Sequence, residues 1–348
     1  MSQSIVSYGL TGLMGAVFSL PTVSLVLALV LTLGIITFTK DEGADHRLTK
    51  LSDDAAIAVG TRYMRERRTL AVSALAVIVV FIAENVVRGY VLNMADVVSW
   101  WRFALPVFVS LVGVTVLLMM IGVGAAPIPA RPAGLGIRRT WTSFGPRAGL
   151  VGALVVIVAL CATTITSGVA SSPDGQGRYV YLEIPIPNET IDPIRSWFYG
   201  WAYGIPVLVC VFALSVATLL TLHRNAVRPF LRAESAGVEK PARSEVAAGA
   251  VRVATGSLLL ALAGALRFIA SSGSTSELTV QGDTAQQGTY EVAWRFAEFA
   301  AIGGWLAPPL EMVGFVLLLL VAFRIRRESV DSESRASSLR RPASEVAS

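Results

Sequence analysis

Seven long apolar runs divide the chain, covering Phe18–Phe38, Leu70–Leu92, Phe103–Val123, Ala148–Val169, Tyr199–Leu222, Ala254–Ala270 and Ala300–Phe323. A helix needs about 20 mostly apolar residues to cross roughly 30 Å of hydrocarbon, and each run is near that length. The pattern predicts an all-α integral membrane protein, with seven transmembrane helices over residues 1–323. The tail, 324–348, is rich in Ser, Arg and Glu and is expected to be disordered.

The polar segments between the runs are unequal. Lys and Arg number 7 in 39–68, 4 in 124–147, 6 in 223–252 and 6 from Arg324 onward, together 23 of the chain's 29. Short basic loops stay in the cytoplasm, so the N-terminus is expected outside a plasma membrane and the C-terminus inside. Trp100, Trp101, Trp197, Trp201, Trp294 and Trp305 fall at the expected outer ends of the spans, where amphipathic rings settle among headgroups; Trp141 lies on the inner side. The first run does not read as a cleavable signal peptide, because it is long and its basic residues follow it. Residues 5–17 are also apolar and are expected to extend the first helix outward, tilted, with a re-entrant piece as the alternative.

Composition agrees with the membrane class. The chain is 54% hydrophobic and 15% charged, against about a quarter charged in soluble domains. A net charge of +5 would suit nucleic acid only if it formed a patch; here the basic residues flank apolar runs, so no nucleic acid is expected.

Against this background, ionisable residues within the runs stand out. Glu84, Arg267 and Glu311 lie 16, 15 and 13 residues from the inner arginines Arg68, Arg252 and Arg324. At 1.5 Å per residue that places them roughly 20–24 Å from the inner face. Arg88 follows Glu84 by one turn and can pair with it. Arg267 is expected to pair with Glu311 across the hairpin of the last two helices. Isolated charges at such depth cost about 2.5–3.5 kcal/mol or more, so Glu84, Arg88, Arg267 and Glu311 are expected to share a polar pocket or form ion pairs.

Weaker signals accompany these. Leu20-Pro21, Leu105-Pro106, Ile205-Pro206 and Pro308-Pro309 each open an aliphatic run, and Trp101-Arg102-Phe103 recurs as Trp294-Arg295-Phe296. Duplication of a helical hairpin would produce this, as would the tolerance of first helical turns for proline. Cys161 and Cys210 are each 14 residues from an inner arginine and could lie level, most simply as buried thiols. Thr163, Thr164, Thr166 and Ser167 could line the same pocket or pack helices. In the loops, Arg178–Pro185, Glu277–Val280 and Thr289–Val292 read as strands of a small three-stranded cap. Asn188-Glu-Thr is a glycosylation sequon, and Arg340-Arg-Pro-Ala-Ser344 has the form of a basophilic kinase site.

Several chemistries are excluded. No histidine lies within a run, which removes the usual axial ligands of a membrane haem. No lysine does either, so a retinal-type Schiff base has no amine. P-loop and HExxH motifs are absent, and the two cysteines and two histidines do not make a zinc spacing. No catalytic residue, metal or cofactor is expected. The expected partners are the lipid bilayer, a small solute or ion, and other membrane proteins. The sequence favours a permease-like or transport-associated protein, then a non-catalytic accessory, assembly or sensor subunit, then a membrane enzyme.

Overall fold

The computed structural model describes residues 21–38, 53–86, 98–123, 145–186, 193–229, 236–273, 277–280, 288–291 and 294–339. The expectations for residues 5–17, Arg88, Trp141, Asn188 and Ser344 lie outside them. The described residues form α1 (Pro21–Phe38), α2 (Asp53–Val86), α3 (Leu105–Val123) and α4 (Arg147–Ala170), then β1 (Ser172–Pro173), β2 (Tyr179–Ile184) and β3 (Ile194–Trp197). After these come α5 (Trp201–Val227), α6 (Ala236–Gly273), β4 (Glu277–Val280), β5 (Gly288–Glu291) and α7 (Ala297–Leu339).

Six of the helices, α2 to α7, are long and apolar enough to cross a membrane, so the chain is a polytopic membrane protein. The apolar part of α1, Thr22–Phe38, is shorter. Helix ends differ from the apolar runs because backbone hydrogen bonding does not stop where hydrophobicity does. Helix α2 begins at Asp53 and α6 at Ala236, each inside a basic loop, and α7 continues to Leu339, into the tail expected to lack fixed structure.

Burial orders the bundle. In α6, 72% of the apolar window is buried, against 11% in α4. A helix that is apolar all round belongs in the middle, and α6 accordingly packs against α2, α3, α4, α5 and α7. Its approach to α7 is close. A Cβ built on Gly256 would lie 3.0 Å from the Gly314 carbonyl oxygen, and one on Gly314 would lie 3.1 Å from that of Gly256. Small residues at such a crossing let two backbones meet where lipid offers no hydrophobic drive to helix association. Outward-facing Val26, Val30, Val79, Phe108, Val151, Val155, Val209 and Phe212 are exposed, as expected of faces turned to acyl chains.

Proline placement separates two of the repeated openings from the others. Pro21 and Pro106 stand in the first turn of α1 and α3, where no intrahelical N–H is needed. Pro206 lies inside α5, and Pro308 and Pro309 lie well inside α7. Those two cannot donate to the carbonyls of Gly304 and Trp305, so α7 lacks two ladder bonds shortly before Glu311.

One three-stranded sheet from both loops was the expectation; the described residues form two separate sheets, because the chain pairs locally. Strands β1, β2 and β3 form an antiparallel sheet within the α4–α5 connection, and β4 pairs only with β5. In β2, Val180, Leu182 and Ile184 are buried against the helix bundle while Tyr179, Tyr181 and Glu183 alternate with them. The turn into β2 is built on Asp174, whose Oδ1 accepts the backbone N–H groups of Gln176 and Arg178 at 2.8 Å. The N–H of Arg178 beside it holds the Asp174 carboxyl below the usual range. Gly177, at φ 76°, supplies the left-handed residue of the turn. Ser272 Oγ donates to the Trp197 carbonyl, tying the sheet to the end of α6.

Gly314→Val is expected to lose about 1–3 kcal/mol by forcing α6 and α7 apart. Gly152→Val, where nothing stands within 4 Å, should stay near wild type. Thermal unfolding of both variants in mild detergent measures the difference.

Candidate functional site

Four elements enclose a cavity of about 210 Å³ toward the end of the bundle nearest the sheets. Helix α2 contributes Glu84 and Asn85, the turn before α3 contributes Arg102, α6 contributes Arg267 and Ser271, and α7 contributes Glu311. Phe81, Phe103 and Phe268 make its apolar walls.

Glu311 is 1% exposed. Arg267 Nη2 donates to its Oε2 at 2.7 Å, and Ser24 Oγ of α1 donates to the same oxygen at 3.1 Å. Its second oxygen, Oε1, is buried and has no hydrogen-bond partner among the described residues. The carboxylate is thus half satisfied. Arg267 reaches it from a side chain about a quarter exposed. The Arg102 guanidinium stacks 5.2 Å from the Phe103 ring centroid and 5.6 Å from that of Phe268. Phe103 is in turn held edge-on by Tyr199 and Tyr203.

The structure therefore brings Glu84, Arg267 and Glu311 to one cavity; Arg88 is outside the described residues. Sequence reasoning missed Arg102, which stands before its helix rather than within an apolar run. It also missed Ser24. Ser24, Ala28 and Thr32 are fully buried and spaced by four, a stripe of small residues on one face of α1 that was readable. The hydroxyls of α4 do not line the cavity. Thr166 and Ser167 bond to carbonyls of their own helix, and Thr164 Oγ1 meets the Tyr199 hydroxyl at 3.3 Å. Cys161 and Cys210 are free thiols, half-buried against the apolar core that includes Leu160, Tyr203 and Val207. Among the described residues no three His, Cys, Asp or Glu side chains gather as a metal site.

A second polar cluster, unforeseen, lies at the opposite end of the bundle. Arg243 and Glu239 of α6 are fully buried, as are Tyr63 and Glu66 of α2 and Asn225 of α5 within a few per cent. Arg243 donates from Nη1 to the Arg228 carbonyl at 2.6 Å, from Nη2 to the Pro229 carbonyl at 2.9 Å and to Glu239 Oε2 at 3.2 Å, and from Nε to the Tyr63 hydroxyl at 3.2 Å. The Tyr63 hydroxyl donates to Glu239 Oε2 at 3.3 Å, Asn225 Nδ2 donates to the Arg243 carbonyl at 2.9 Å, and Arg228 pairs with Glu66. Arg67 and Glu245 extend the cluster at 2.6 Å. These residues read in the sequence as loop charges that set orientation. They became core because α2 and α6 are longer than their apolar runs. From Glu66 to Glu84 is about 27 Å along α2, and from Arg243 to Arg267 about 36 Å along α6, at 1.5 Å per residue.

Arg243→Met should lower stability by about 3–5 kcal/mol, because Glu239 and two carbonyls would be left buried without their donor. For the pair at the cavity, Arg267→Gln and Glu311→Gln should each destabilise, Arg267→Gln more because it strands a buried charge. The double variant should recover part of the loss, and a thermal double-mutant cycle reads the coupling. No family model, curated protein or solved structure matches the chain, so a functional reading rests on the chemistry of these two clusters alone.

Proposed function

We propose that the chain is a permease-like or transport-associated protein of the plasma membrane, taking a small solute or ion into the charged cavity from the outer side. The observation that carries this reading is Glu311: a buried carboxylate beside a cavity, with one oxygen bonded and the other not. A half-satisfied buried charge is costly, and Glu66 of the other cluster also leaves Oε2 without a partner among the described residues, but of the two only Glu311 lines the cavity. Retaining it against that cost suits a group that must meet a second partner.

A solute path also needs a closed end. The network around Arg243 supplies one: it joins α2, α5 and α6 with buried, mutually bonded groups. Between the two clusters α6 is mostly apolar and buried, through Val246, Ala250, Val253 and Leu260. Both features support a site reached from one side and closed on the other.

In this reading all seven helices span, with the N-terminus outside, the C-terminus inside and both small sheets on the outer face as a cap. The asymmetry of basic residues supports the orientation. Helix α1 supports the count of seven: its 18 residues rise about 27 Å, its small face is buried against α7, and Val26 and Val30 face outward. Exposed Trp100, Trp101 and Trp305 suit the outer interface.

The test is accessibility joined to flux. In a chain with Cys161 and Cys210 replaced by alanine, Ser271→Cys should react with a membrane-impermeant thiol reagent on intact cells. Gly237→Cys should react only after permeabilisation. Reaction of Ser271→Cys only after permeabilisation would overturn the orientation and the outward opening. Proteoliposomes of the full chain should show solute counterflow that Glu311→Gln abolishes; a chain that binds nothing and instead co-purifies with a stable partner would be an accessory subunit.

A further inference from the structure

The geometry points to a small zwitterion, an ammonium and a carboxylate on one short apolar frame, as the occupant of the cavity lined by Glu84, Arg102, Arg267 and Glu311. This rests on the permease reading for its consequence, though the binding it describes stands on the cavity itself. Three observations converge.

Size comes first. At about 210 Å³ the cavity exceeds by several-fold the roughly 30 Å³ share of one water, and falls below the ~300–1,000 Å³ of sites for drug-sized ligands. A compact solute of a few heavy atoms fits.

Charge is the second. Among the described residues two guanidinium groups and two carboxylates face the space, and their formal charges balance. A lone anion or cation would unbalance these charges, whereas a zwitterion leaves the balance unchanged and finds a partner for each end. Glu311 Oε1 asks for a donor: it is an acceptor only, buried, in a side chain 1% exposed, and without a partner among the described residues. An ammonium N–H meets that need with a charge-assisted bond. Toward the other end, Arg102 lies along the rings of Phe103 and Phe268. Its fork of five donors accommodates a carboxylate in addition to the contacts it already makes.

Third is the wall between the ends. Phe81, Phe103 and Phe268 present aromatic surface, which takes a short aliphatic group and adds attraction for the ammonium. Gly264 lies in the same wall. A Cβ there would stand 3.4 Å from Phe103, an ordinary contact, so a longer side chain would grow into the space rather than break the helix packing.

L-valine is the probe, with isobutylamine and isovalerate, which keep its branched group and one charged end each. Calorimetric titration of the full chain in lipid nanodiscs should show saturable L-valine binding, with each half-molecule at least tenfold weaker. Glu311→Gln should weaken L-valine tenfold or more, and Gly264→Leu should abolish binding while its unliganded unfolding midpoint shows that it folds. The inference is overturned if L-valine does not saturate, if either half-molecule binds as tightly, or if both variants bind like wild type. Counterflow of a solute of another class without L-valine binding would sink this inference and leave the permease reading. L-valine binding with no counterflow of it would do the reverse.

Discussion

The carboxylate of Glu311 is the point on which the end of this bundle nearest the sheets turns. It sits on α7 just past two prolines, accepts hydrogen bonds from Arg267 of α6 and Ser24 of α1, and so joins three helices through one oxygen. The neighbouring geometry serves that junction. Gly256 and Gly314 bring α6 and α7 close enough for Arg267 to reach across, and the buried stripe of Ser24, Ala28 and Thr32 lets α1 lie against α7. Take the carboxylate away and Arg267 loses its counter-charge; take Arg267 away and a buried anion remains. Ion pairs of this kind seldom stabilise more than well-packed apolar residues would, so their value lies in specifying one arrangement or in serving a ligand.

The two polar clusters differ in a way that bears on their roles. Around Arg243 the bonding is denser: a guanidinium with four hydrogen bonds, a tyrosine between cation and anion, and an asparagine returning to the backbone, although Glu66 Oε2 and Asn225 Oδ1 have no hydrogen-bond partner among the described residues. That is how a buried network becomes rigid. Around Glu311 the set is open: an oxygen left over, two further charges at the same cavity, and aromatic walls. The cluster at Glu311 borders a cavity, and the one at Arg243 is buried among three helices.

What could be read in advance, and what could not, follows the range of the forces involved. Glu84, Arg267 and Glu311 were conspicuous because charge within an apolar run is costly wherever the helix ends up. Arg102 was not, since a charge beside a helix costs nothing until a neighbouring element covers it. Glu239 and Arg243 misled in the same way: as loop residues they are ordinary, and only the lengthening of α2 and α6 beyond their apolar runs buries them. The strands were legible by alternation, as Val180, Leu182 and Ile184 show, but their partners were not, because alternation fixes which face is buried and leaves pairing to the turn.

The amino-acid sequence by itself determined that this chain belongs in a membrane, which segments are helical there, and which charges are too costly to be incidental. Those properties come from transfer free energy, a local quantity that each segment carries with it. Tertiary structure alone decided that Ser24 joins the Arg267–Glu311 pair at the same carboxylate oxygen, that Arg102 shares their cavity, that the hydroxyls of α4 do not, and that a second polar cluster is buried at the far end. Each of those depends on which faces of separate helices turn toward one another. Helix–helix packing in lipid is set by close contact between small residues and by hydrogen bonds across the interface, which no single segment contains.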